Sequence, residues 1–262
     1  MDAGGLGAVD WTRPWFAAVA GLRSALSTDD PIAGLNRSAA ERGIANSAGR
    51  PIEFVATDDA PAGCAYEAHI AATGRVPTRF NRPDLFNAIV WLAFPRTMVR
   101  LNALQAAVIA HDGIGGRRGT LRDAATLFDE NGALLVTPNP TLPERLRERR
   151  WNDAFVRRRG EWDSVRVWVF GHALMDKLVA PYKSITAHAL VVRLPAKAPL
   201  TELDAVLAAR LDDRFATSAL LPLPVLGVPG WSANADAGYY DDAAVFRPER
   251  AGRTSREEWI KG

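Results

Sequence analysis

Between Pro83 and Pro95 the chain reads PDLFNAIVWLAFP, an apolar run interrupted only by Asp84 and Asn87. Pro83 suits the first position of a helix, because its fixed φ fits and its missing N–H would have no partner there. Pro95 ends what Pro83 begins. Leu85, Ala88, Ile89 and Leu92 repeat at helical spacing, and Phe86, Val90 and Ala93 carry the apolar surface round the cylinder. A helix over about residues 84–94 that is apolar on most sides has to be buried on most sides. Asp84, Asn87 and Trp91, at i, i+3 and i+7, form its single hydrogen-bonding stripe. A buried carboxylate needs a partner. Either Asp84 caps its own first turn while Asn87 ties down a loop, or the stripe faces a ligand.

The rest of the chain supplies the layers around this helix. Residues 15–26 place Phe16, Val19, Leu22 and Leu26 at helical spacing, and 28–63 reads as irregular apart from a short strand at 51–56. A helical turn is expected at 66–73 and a second long helix at 96–111, making a corner at Pro95. Residues 123–128, the turn Asp129-Glu130-Asn131-Gly132 and the run 133–138 read as a β-hairpin, since Asn-Gly between apolar segments favours a tight turn. Residues 165–171 and 185–195 read as strands, and 172–179 and 201–211 as helices, with Thr201 placed to cap the last. Strands alternating with helices predict an α+β fold, a mixed β-sheet covered by helices around a buried central helix. From Leu220 the chain is rich in Pro, Gly and aromatic residues and reads as a long irregular C-terminal wrap. No repeat or polar linker divides the 262 residues, so one domain is expected, with its core over about 10–248 and tails at both ends.

The runs PTRFNRPDLFNAIVWLAFPRT at 77–97, RDAATLFDENG at 122–132, FGHAL at 170–174, PLPVLGVPGW at 222–231 and YYDDAAVFRP at 239–248 together resemble the bacterial domain-of-unknown-function family 3025. The resemblance covers nearly the whole chain and implies no activity.

Composition narrows the function classes. Thirty-two basic residues against 30 acidic ones leave a net charge of +2, which gives no reason to expect nucleic acid as a partner. The arginines of 144–161 alternate with Glu144, Glu148, Asp153 and Glu161 at spacings that allow ion pairs on a helix face. The longest apolar run is half a bilayer crossing, and the N-terminus lacks a secretion-signal pattern, so a soluble, cytoplasmic protein is expected with no membrane partner. Cys64 is the single cysteine and is read as inert. The Gly-rich turn at 111–119, with Arg117 and Arg118, matches no phosphate-binding fingerprint.

No hydrolase elbow, zinc-helix, Walker or kinase motif is present, and the four histidines show no local metal-ligand spacing. His172 is the most suggestive residue. It follows a strand and Gly171, where α/β proteins commonly place ligands and where the helix dipole opposes a positive charge on the ring. The alternative is a ring that hydrogen-bonds a carbonyl and packs. Asp84 and Asp123 are the carboxylates nominated beside it for general acid/base chemistry. Arg79, Arg122 and Arg247, with Asn87, Trp91 and Asp241, are nominated as ligand contacts, the arginines for a small anionic ligand. Whether a metal or cofactor takes part, and the oligomeric state, are left open. The best reading is a hydrolase with a His/Asp acid-base or metal-assisted site. The alternative is a non-catalytic protein that binds a partner protein or nucleic acid through the Arg-rich segment 144–161 or the aromatic C-terminal segment.

Overall fold

The computed structural model describes residues 3–26, 29–57, 65–113 and 119–248. Cys64, Arg117 and Arg118 lie outside the described residues. The fold is α+β. Four strands, β3 (Gly132–Val136), β4 (Arg166–Val169), β5 (Thr186–Val192) and β6 (Leu220–Pro224), form a mixed sheet in the order β4-β3-β5-β6. Strand β3 runs parallel to β5 and antiparallel to β4, and β6 runs antiparallel to β5. All five residues of β3 are buried, which is why GALLV has no polar position. A second, two-stranded parallel sheet joins β1 (Glu53–Val55) to β2 (Arg75–Pro77).

Helix α3 (Arg82–Ala93) is the buried centre, with Leu85, Phe86, Ala88, Ile89, Val90, Trp91 and Leu92 all inside. Each of its large aliphatic side chains contributes about 1.5–3 kcal/mol by leaving water. Asn81 caps the helix by accepting from the Asp84 N–H at 2.9 Å. The Asp84 carboxylate in turn accepts from the Arg79 backbone N–H at 2.9 Å, two residues before the cap, and so ties the incoming chain to the first turn. Helix α4 (Pro95–Asp112) follows after the single residue Phe94, giving the corner expected at Pro95. Helices α1 (Pro31–Glu41), α2 (Tyr66–Thr73), α5 (Thr120–Asn131), α6 (Thr141–Arg147), α7 (His172–Lys177) and α8 (Leu200–Arg210) complete the layers. One continuous apolar core runs from Leu6 to Phe246.

The structure corrects several local expectations. Residues 120–131 are helical, not the first arm of a hairpin: Leu121, Ala124, Ala125 and Phe128 form one buried helical stripe. Gly132 has φ −75°, so it opens β3 instead of turning a hairpin. Helix α1, capped by Asp30 with Pro31 in its first turn, replaces irregular chain. Residues 14–16 and 20–25 are two 3-10 segments in place of one α-helix. The Arg-rich stretch is not one helix. Arg149 adopts φ 54° after α6, and a π turn at 153–157 and a 3-10 turn at 159–164 follow. Thr201 lies inside the first turn of α8 and its side chain caps nothing, because the helix starts at Leu200 after Pro199. The tail supplies an edge strand, β6, before it becomes irregular. Beyond it, Tyr240 stacks on Phe155 at 5.1 Å, and Asn234 fixes the wrap by donating to the Leu226 and Val228 carbonyls. Among the described residues no helix is long and apolar enough to cross a membrane.

Candidate functional site

Two glycine corners build the site. Chain leaving β4 turns at Phe170-Gly171 into α7, and chain leaving α5 turns at Gly132 into β3. They cross so closely that a Cβ on Gly171 would sit 2.4 Å from the Glu130 carbonyl oxygen and 2.5 Å from the Gly132 nitrogen. A Cβ on Gly132 would meet the Phe128 carbonyl at 2.2 Å. The Gly171 N–H donates to the Gly132 carbonyl at 2.8 Å, and Phe170 stacks on Phe128 at 4.6 Å. His172, the next residue, is thereby pressed against the last turn of α5.

There its Nδ1 lies 3.0 Å from the Asp129 backbone carbonyl and 3.7 Å from the Asp129 carboxylate. A carbonyl only accepts, so Nδ1 carries the proton and donates, leaving the Nε2 lone pair unprotonated in the neutral ring. Among the described residues no hydrogen bond reaches Nε2. The ring borders a cleft of about 230 Å³ enclosed by α2, α3, α4, α5 and α7. Helix α2 contributes Tyr66, Glu67 and Ile70, and α3 contributes Asp84, Asn87 and Trp91. Met98, Leu101, Asn102 and Gln105 come from α4, Thr126, Asp129 and Glu130 from α5, and Pro77 and Arg79 from β2 and the turn after it.

The polar groups of this cleft are unevenly satisfied. Arg79 holds Asp84 with two guanidinium contacts, at 3.0 and 3.2 Å, and this hydrogen-bonded pairing raises the Arg79 pKa further. Asn87 donates to the Tyr66 hydroxyl at 2.8 Å, and Asn102 donates to the Glu67 carbonyl at 2.9 Å. Glu67 and Glu130 have no Lys or Arg partner among the described residues. Burial pushes the Asp129 carboxyl up; Glu67 and Glu130 push the same way, while His172 opposes them. Tyr66 is 39% exposed as a residue, yet desolvation of its hydroxyl, followed by the charge of Asp129, holds that group above the usual phenol range. Trp91 is 2% exposed, and its indole N–H is buried without a partner. Gln105, at 6% exposure, makes no side-chain hydrogen bond among the described residues.

A family model described as "Protein of unknown function (DUF3025)" matches residues 52–250, which is most of the chain and includes every residue of the cleft. The chain belongs to the DUF3025 family. No curated protein and no solved structure matches it.

Of the residues nominated in this DUF3025 chain from sequence, the cleft gathers His172, Asp84, Arg79, Asn87 and Trp91. It does not gather Asp123, Arg122, Asp241 or Arg247. Asp123 is exposed in the first turn of α5, about a third of a revolution round the helix from the face that carries Asp129. Arg122, half-buried beside it, is likewise absent from the cleft wall. Asp241 is exposed in the C-terminal wrap, and Arg247 donates to the Ala244 carbonyl there at 3.0 Å. The carboxylate next to His172 is therefore Asp129. Among the described residues no group of three His, Cys, Asp or Glu side chains is arranged to hold a metal ion. Tyr66, Glu67 and Gln105 gave no signal in the sequence, because only the packing of α2 on α4, and of α4 on α3, brings them to the site.

Proposed function

We propose that this DUF3025 protein is a hydrolase that cleaves an acyl bond by general acid/base catalysis in the His172 cleft. The observation that carries the reading is the His172 ring, with Nδ1–H given to the Asp129 carbonyl and Nε2 left open on the cleft. Nε2 takes a proton from water as the water attacks a carbonyl carbon, and the resulting imidazolium returns that proton to the leaving group. The Asp129 carboxyl, pushed up by burial and by Glu67 and Glu130 against the opposing His172, lies 3.7 Å from Nδ1. The Tyr66 hydroxyl accepts from Asn87 and keeps its own proton, so it is a donor for the developing oxyanion.

Binding through the Arg-rich segment or the aromatic tail has less behind it. Arg145 pairs with Glu148 at 2.7 Å and Asp153 at 3.1 Å, Arg158 pairs with Glu161 at 2.7 Å, and Arg159 clamps Asn234 and Tyr240. Tyr240 and Phe246 belong to the apolar core. These groups are occupied with the fold itself.

The test is a panel of chromogenic esters and anilides assayed with the parent protein and His172→Ala, both verified as folded by circular dichroism. Hydrolysis of at least one class is expected, with kcat lowered about 10²–10⁴-fold in the variant. A panel with no turnover, or a variant as active as the parent, rejects the reading.

A further inference from the structure

Four residues of α4, Met98, Leu101, Asn102 and Gln105, recur at i, i+3, i+4 and i+7 and give the cleft one wall. Two of them are amides in a buried stripe, and only one has a task in the fold. Asn102, 5% exposed, donates from Nδ2 to the Glu67 carbonyl at 2.9 Å and so ties α2 to α4. Gln105, 6% exposed, has no hydrogen-bond partner among the described residues for either amide atom. The Trp91 indole nitrogen is enclosed beyond reach of a ligand, whereas neither Oε1 nor Nε2 of Gln105 is enclosed in that way. A side chain more than nine-tenths buried thus turns a reachable, unpartnered polar end to the cleft it lines. For the fold alone an apolar side chain of the same size would serve better, because an amide held mostly out of water without a partner loses hydration and gains nothing back.

The chemistry that completes this amide follows from its two atoms. Oε1 accepts and Nε2 donates, side by side in one plane. A ligand that meets both offers a carbonyl oxygen and an N–H on the same edge. A carboxylate offers two acceptors and would leave Oε1 facing a negative oxygen. It would also find no free cation, since Arg79, the one Lys or Arg in the cleft wall, is held by Asp84 through two contacts. About 230 Å³ admits a small molecule or one end of a larger one.

We infer that the cleft binds a neutral ligand through a cis amide edge, that of a primary carboxamide or a lactam, paired in plane with the Gln105 amide by two hydrogen bonds. The inference names the substrate class of the proposed hydrolase and rests on that reading only for the bond that is cleaved, because the recognition itself needs no turnover.

Gln105 is the only glutamine of the chain, so its side-chain amide gives a single pair of glutamine signals in the proton–nitrogen spectrum, assigned by their loss in Gln105→Leu. The experiment is a titration of the full chain with acetamide and with butyrolactam. At least one of them is expected to shift the pair downfield and to saturate it. A response to acetamide alone identifies an open-chain carboxamide and to butyrolactam alone a lactam, and either upholds the inference. N-methylbutyrolactam, which keeps the carbonyl and lacks the N–H, is expected to leave the pair in place, as is sodium acetate. Gln105→Leu is expected to melt no lower than the parent and to bind the active amide about tenfold more weakly or worse, the scale of two hydrogen bonds, read by saturation transfer to the ligand. Gln105→Met, unbranched, gives the same comparison where the branched side chain does not pack. A pair moved by neither amide, as water alone in that place would leave it, overturns the inference. So does an equal response to N-methylbutyrolactam or acetate, undiminished binding by the apolar variants, or melting of both variants below the parent. Failure in the ester and anilide panel with binding intact rejects the hydrolase alone. Failure here with turnover intact leaves a hydrolase whose substrates are chosen by other groups of the cleft.

Discussion

His172 takes its orientation from a main-chain atom. The Asp129 carbonyl fixes the ring tautomer, while the Asp129 carboxylate, 3.7 Å from the same nitrogen, supplies charge. The two roles are therefore separable by substitution at position 129. The carboxyl is pushed up by burial and by Glu67 and Glu130, against His172, with the Arg79–Asp84 pair bordering the same cleft. An unfolded aspartate ionises near 3.8, so above that value the unfolded chain has released a proton that the folded chain still holds. Stability accordingly falls as pH rises from 3.8 through the folded value of Asp129, and levels off beyond it. Asp129→Asn resembles the protonated form at every pH. It should melt above the parent at about pH 7 and approach it near about pH 4, below which both carry a neutral side chain. Thermal melts of both proteins across that range check the sign, and coincident curves throughout would show that the carboxyl is not held up.

At the scale of elements, helix α4 starts at Pro95 without a capping side chain of its own, since Phe94 precedes it. Asp204 of α8 serves instead. Its carboxylate, 3% exposed, accepts from the Arg96 N–H at 3.0 Å, the Thr97 N–H at 2.9 Å and the Thr97 hydroxyl at 2.7 Å. Asp204→Ala leaves these donors without a partner in a dry place and should cost about 3 kcal/mol, measured by urea denaturation. A cap brought from 107 residues away leaves no local trace, and none was legible in the sequence. Helices α3 and α4 were legible, because a proline stands in the first turn of each and their apolar spacing is long. Helix α5 was misread although Leu121, Ala124, Ala125 and Phe128 carry a helical period. The Asn131-Gly132 pair suggested a turn, whereas Gly132 is needed for its lack of a side chain against Phe128, with φ in the ordinary range. The same misreading hid the site. As a strand, residues 123–129 have no face that sets Asp129 apart from Asp123; as a helix, they place the two carboxylates on different sides.

At the scale of the molecule, the crossing of Gly171 over Gly132 holds β4, α5 and α7 in register. Gly171 has φ −63° and ψ 124°, angles that any residue adopts, so the cost of a substitution there is steric alone. Gly171→Ala should destabilise the protein by about 3 kcal/mol, the upper end for overpacking. It should also withdraw His172 from the Asp129 carbonyl, visible as a changed imidazole proton spectrum in whatever fraction remains folded. The cleft beyond that crossing is walled by five helices drawn from residues 66 to 177, none of which can hold its share of the wall alone. Whatever occupies it is gripped only by the assembled molecule and is released when any one wall departs. Occupancy must therefore shift the folding equilibrium by mass action, and a rise in melting temperature becomes a search tool for the natural ligand that works whatever the reaction.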